Sequence, residues 1–172
     1  MTEIKGFYYF KNYMSKEEIS LIKDKIKNEI QFEPITNSKN SRRVAHFGYT
    51  YNYFSRDVET AEPIPDYLLN LVNPDRIPIQ STYNQVIINE YKPGQKIAPH
   101  VDHTKLFGPI IACITIGQSV NIKFELNELE ENFKPREGSL YMMTNDSRYK
   151  WKHSLINNRN KTRYSITYRN VL

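Results

Sequence analysis

NQVIINEYKPGQ, residues 84–95, decides the fold. A short run rich in Val, Ile and Tyr, closed by Lys92-Pro93-Gly94-Gln95, reads as a strand ending in a turn. The same texture recurs at 109–117 (PIIACITIG), 121–126, 139–144 and 163–169 (RYSITYR), with Gly, Pro and Asn between the runs. Regular short strands with turn signals predict a mainly β sandwich or barrel over residues 83–172.

Upstream the pattern changes. Ser15 followed by Glu18 is a capping box, and Ile19, Ile22, Ile26 and Ile30 recur at helical spacing, so 15–30 reads as an amphipathic helix. Its apolar stripe should pack on a sheet. Its basic face suits solvent or a phosphate backbone. Residues 34–43 are polar and read as a loop, 47–54 as an aromatic-rich strand or hairpin, and 66–72 as a short helical piece.

The length of 172 residues fits one domain, 1–172, and the 13% aromatic content excludes a disordered chain. Cys113 is the single cysteine, which rules out an intramolecular disulfide and a Cys-rich metal site. No apolar run of membrane-spanning length and no signal peptide are seen, so an intracellular setting, cytoplasmic or nuclear and not secreted, is expected. A monomer is the default at this size. A net charge of +5 favours polyanionic partners without demanding them.

His100-Val101-Asp102 is the first constellation with chemistry in it. On a strand, residues two apart share a face, so imidazole and carboxylate can converge on one ion. His153 offers a third ligand. Two His and one carboxylate make a facial triad for non-haem Fe(II) with positions left open. The same set with a water also suits zinc. In the last strand Arg163, Ser165, Thr167 and Arg169 alternate onto one face. Two arginines there need either solvent, as on an edge strand, or an anionic partner such as a dicarboxylate.

Asn89-Glu90-Tyr91, His100-Val101-Asp102, His153 and the 163–169 segment, in that order, resemble the motif set of the AlkB-like Fe(II)/2-oxoglutarate-dependent dioxygenases. The resemblance runs from about Arg42 to the C-terminus. It implies a double-stranded β-helix, or jelly roll. It also implies Fe(II) on His100, Asp102 and His153, with 2-oxoglutarate and O2 as cosubstrates. Arg163 would pair with the far carboxylate of 2-oxoglutarate and Arg169 would sit near its chelating end. Asn89, Tyr91 and Thr167 would line the same pocket. The reaction implied is oxidative decarboxylation of the cosubstrate coupled to C–H hydroxylation, with loss of formaldehyde where the carbon is an N-methyl group.

Residues 42–49, with Arg42, Arg43, His46 and Tyr49, resemble the start of the family's nucleotide-recognition lid, expected here over 36–54. Basic residues beside aromatics suit phosphate contact next to base stacking. Tyr49, Tyr51 and Tyr53 would share one strand face and line the pocket, although Phe47 and Tyr51 fit a core equally well. Arg148 would brace the substrate or the ligand strand. Thr104 stands where bacterial demethylases carry an acid. Within the family, 42–49 and 145–153 look most like the oxygenase domain that hydroxylates a modified wobble uridine in transfer RNA. The implied partner is single-stranded DNA or RNA, including tRNA. The alternative is an oxygenase acting on a protein or a small molecule.

Overall fold

Every side chain of the strand Gln85–Tyr91 is buried, as expected for a strand covered on both faces. The computed structural model describes residues 3–172. In chain order the elements are β1 (Phe7–Phe10), α1 (Lys16–Asn28), β2 (Glu33–Pro34), β3 (Arg43–Phe47), β4 (Tyr49–Tyr51), β5 (Val58–Thr60) and α2 (Asp66–Leu69). They continue with β6 (Gln85–Tyr91), β7 (Lys96–His100), β8 (Ile111–Gly117), β9 (Ile122–Leu126) and β10 (Leu129–Phe133). The last are β11 (Leu140–Met143), α3 (Asn145–Tyr149), β12 (Lys152–Ile156) and β13 (Arg163–Arg169). A 3-10 turn, Asn70–Val72, prolongs α2.

Two antiparallel sheets form the jelly roll. The larger has the order β1-β11-β8-β13-β6-β3-β2 and the smaller β10-β9-β12-β7. Period-2 alternation sorts their side chains into two cores. Cys113, Tyr141, Tyr91 and Met143 of the large sheet meet Ile122, Phe124, Phe133 and Leu155 of the small one. On the outer face Val86, Ile88, Ile114, Met142, Ile166 and Tyr168 pack under α1 and α2.

The capping box of α1 is present, with the Ser15 hydroxyl accepting from the Glu18 N–H and the Glu18 carboxylate accepting from the Ser15 N–H. Ile22 and Ile26 are buried against the sheet, with Ile19 and Ile30 partly covered beside them.

Seven strands lie outside the expected runs: β1, β2, β3 except for Phe47, β5, β7, β10 and β12. Pro99 interrupts β7, which is tolerated because β7 is an edge strand. The lid also has different bounds. β3 joins the large sheet beside β6, and the hairpin outside the sheet is β4–β5, running on to Thr60. Gly48 makes the exit. Its φ is +79°, and a side chain there would strike the Asn84 carbonyl oxygen.

Candidate active site

Strand pairing brings the metal-type donors together. His100 is the last residue of β7 and lies directly opposite His153 on β12, while Asp102 follows in the turn after β7. Convergence therefore comes from the β7–β12 register and not from alternation along one strand. The donor atoms of the three residues all lie within 4.8 Å of one another. Asp102 Oδ1 is 3.4 Å from His100 Nε2 and 3.5 Å from His153 Nε2. His100 Nδ1 sits 2.8 Å from the Ala98 carbonyl; donating its proton there leaves the Nε2 lone pair facing the site.

Electrostatics hold this set ready for a cation. Burial pushes the Asp102 carboxyl up, but the close approach of His100 and the charge of Arg169 outweigh it and keep the group well below the usual range. Burial, helped by His100, takes His153 down to about 3, so its ring is neutral and free to coordinate. Two imidazoles and one carboxylate on one side of an ion, with a cavity on the other, fit a facial-triad Fe(II) site.

The cavity has a volume of about 340 Å³ and runs between the sheets from His100, Asp102 and His153 to Arg163. Arg163 is fully buried, with Nη1 bonded to Thr115 Oγ1 at 3.2 Å and both Nε and Nη2 without a partner among the described residues. Buried donors of a cation are rarely left unsatisfied, and a carboxylate would fit them in a bidentate fork. Arg169 donates to Asp102 Oδ2 at 2.9 Å and to Gln85 Oε1 at 2.9 Å, its guanidinium lying 3.7 Å from the centre of the Phe107 ring. Asn89, Tyr91 and Thr167 also line the cavity. Burial raises the Tyr91 hydroxyl to about 12, so it stays a donor.

The substrate-side expectations divide. Arg42 lines the cavity and bonds Asn89 Oδ1 through Nε at 3.1 Å. Arg43 does not: one residue along β3 it turns to the opposite face and forks onto Glu90 at 2.7 and 2.9 Å. His46 lies outside the cavity, in a neighbouring cleft behind the hairpin, with its ring 6.3 Å from Tyr53. Burial, then Arg169, takes His46 down to about 4. Tyr49 is outside as well; its carbonyl accepts from Gln85. Thr104 is exposed and away from the cavity. Arg148 is 2% exposed and spends its donors on the carbonyls of Asp102, His103, Phe107 and Gly108, which makes it a brace for the ligand turn and not a substrate contact.

Of the three tyrosines expected to line the pocket, Tyr51 and Tyr53 do so, packed edge to face at 5.1 Å, and Arg56 and His103 join them. Tyr141, Thr115 and Gln85 complete its polar inner surface and supports. Alternation could have found Gln85, which shares a face with Asn89; nothing local marks Arg56 or His103.

A donor set for iron beside an unpaired buried guanidinium is the equipment of an oxidoreductase that uses a metal and a small acid together. The chain belongs to the 2OG-Fe(II) oxygenase superfamily, whose sequence model matches residues 6–169. It is an AlkB-like dioxygenase, with Fe(II), 2-oxoglutarate and O2 as its cofactors.

Among its relatives, uncharacterized protein L905 of Acanthamoeba polyphaga mimivirus is 34% identical over 151 residues, covering 76% of this chain and 70% of that one. The mouse tRNA (carboxymethyluridine(34)-5-O)-methyltransferase ALKBH8 is 32% identical over 122 residues, covering 66% of this chain and 18% of the mouse protein. The structure of OsALKBH1 superposes with a TM-score of 0.77 over 99% of both chains at 13% identity, a likeness of fold. No helix among the described residues is long and apolar enough to cross a membrane.

Proposed function

We propose that this oxygenase, acting as a single unit over the described residues, hydroxylates or demethylates a modified base in single-stranded nucleic acid, tRNA included. The observation that carries this reading is the roof of the cavity. Tyr51 and Tyr53 stand edge to face beside the triad, with Arg42 5.3 Å from the Tyr53 ring and Arg56 at the rim. Aromatic faces accept an unstacked base, and arginines meet its phosphates. The net charge of +5 and the similarity to a tRNA-modifying enzyme support the same class of substrate.

In this reading His100, Asp102 and His153 hold the iron. Arg163, backed by Thr115, holds the far carboxylate of 2-oxoglutarate. Asn89, Tyr91 and Thr167 orient that cosubstrate from neighbouring strands. Arg169 steadies Asp102. When bound, iron and 2-oxoglutarate supply the power to insert one atom of O2 into a substrate C–H bond, with succinate and CO2 released. The residues of the chain position the partners and keep water out.

Two measurements test it. Single-stranded RNA or DNA should bind the holoenzyme, with affinity falling steeply between 50 and 200 mM salt. A strand carrying the right modified base should raise succinate formation above the uncoupled rate. Intact metal and 2-oxoglutarate binding without any salt-sensitive binding to either nucleic acid would overturn the reading.

A further inference from the structure

His103 lines the cavity beside the ligand Asp102, with its backbone and its ring each held by hydrogen bonds. Its carbonyl accepts from Arg148 Nη2 at 3.2 Å. Its Nδ1 accepts the backbone N–H of Lys105 at 3.2 Å and of Leu106 at 3.1 Å. A nitrogen that accepts two N–H groups carries the lone pair, so the ring proton sits on Nε2. Nε2 has no hydrogen-bond partner among the described residues. The turn therefore offers the cavity a donor of defined position.

The other charges around the cavity have the same bias. Arg42, Arg56, Arg163 and Arg169 line it, and Asp102 is the one carboxylate among its lining residues. Arg169 holds Asp102 Oδ2, and Oδ1 faces the two imidazoles as a metal donor. No carboxylate is left to receive a positively charged ring. With Arg163 given to 2-oxoglutarate and Arg169 to Asp102, Arg42 and Arg56 remain. A cationic N-alkylated base would be desolvated beside them without a counter-charge, whereas a ring with carbonyl oxygens or an added carboxylate would find donors.

We propose that His103 is a specificity-determining residue, its Nε2–H donating to a carbonyl or carboxylate oxygen of the substrate base. The cavity thereby selects neutral or anionic, acceptor-rich pyrimidines over cationic methylated bases. This rests on the nucleic-acid reading above and narrows it.

The test compares single strands that differ at one nucleotide: 3-methylcytidine, 5-methyluridine or 5-carboxymethyluridine. The first two have the same number of heavy atoms, so size does not separate them; charge and hydrogen-bonding pattern do. Binding is read by fluorescence anisotropy on the full chain loaded anaerobically with Fe(II) and 2-oxoglutarate, so that nothing turns over. Wild type should bind either uridine strand at least about tenfold tighter than the 3-methylcytidine strand.

Two variants isolate the donor. In His103→Asn the side-chain oxygen can still cap the Lys105 and Leu106 N–H groups while its amide donates, so the preference should survive. In His103→Asp the cap remains but the donor is replaced by an acceptor, and the preference should vanish or reverse. Equal binding of all three strands by wild type, or an unaltered ratio in His103→Asp, would overturn the inference and leave the nucleic-acid reading standing. No binding to any strand would remove both.

Discussion

Arg169 grips one oxygen of Asp102 at 2.9 Å and leaves the other facing His100 and His153 at 3.4 and 3.5 Å. The carboxylate is thus turned before any ion arrives, with one oxygen spoken for and one free to coordinate. Outer partners of this kind commonly carry ten- to a hundredfold in metal affinity. Arg169→Leu should weaken Fe(II) or Mn(II) binding by about that factor, measured by anaerobic titration. Unchanged metal affinity would mean that Asp102 is oriented by the turn alone.

Arg163 presents the opposite case, a buried cation lining the cavity whose Nε and Nη2 have no hydrogen-bond partner among the described residues. Removing it deletes a buried charge as well as a binding group, and such a charge, unpaired, opposes folding. Arg163→Met should therefore match or exceed wild type in melting temperature without ligands. It should lose the stabilisation that 2-oxoglutarate gives the metal-loaded protein, about 2.7 kcal/mol at a hundred times Kd. Metal affinity should be retained. A variant that still responds to 2-oxoglutarate would remove Arg163 from this role.

Glu18 joins the α1 cap to Arg76, which bonds it at 2.8 Å through Nη2 and also reaches the Tyr13 carbonyl. The hydrogen bond from Arg76 holds the carboxyl down at about 2. A folded pKa below the unfolded value, about 4.3, gives stability that is complete above the unfolded value and lost as pH falls through the folded one. The two side chains are 28% and 33% exposed, so solvent screening limits the pair to about 1 kcal/mol. Glu18→Gln should cost about that at pH 7, and denaturant curves of variant and wild type should converge between pH 4 and pH 2. A gap that persists at pH 2 would assign the cost to the cap geometry and not to the charge.

Much of this architecture is legible in the chain. Ser15 and Glu18 announce the helix start, and the alternation of β13 places Arg163, Ser165, Thr167 and Arg169 on the cavity face. What escapes depends on contacts between distant segments. β12 mixes Lys152, His153 and Ser154 with Leu155 and shows no clean period, and β7 contains Pro99, so the two strands that carry the histidines become visible only when they pair. The turn of residues 102–108 has no local signal for its shape because a side chain 40 or more residues away, Arg148, holds its carbonyls.

Arg42 and Arg43 make the clearest contrast, since adjacent residues of like charge receive opposite tasks. Val44 pairs with Asn89 and Arg43 with Glu90, so the β3–β6 register sends Arg43 to the outer face, against a carboxylate whose side chain is 4% exposed. Tyr164 donates to the same carboxylate at 3.2 Å. Arg43→Ala would leave Glu90 buried with one partner fewer. A loss of about 2 kcal/mol is expected, below that of a fully buried pair because Arg43 itself is partly exposed. Oligonucleotide affinity should not change. Arg42→Ala should do the reverse: little effect on stability, weaker binding of single strands, and a salt slope reduced by about 1. Melting curves and salt-dependent anisotropy on the two variants separate these outcomes. If Arg43→Ala weakened nucleic-acid binding at unchanged stability, the outer face of the sheet would have to be part of the binding surface.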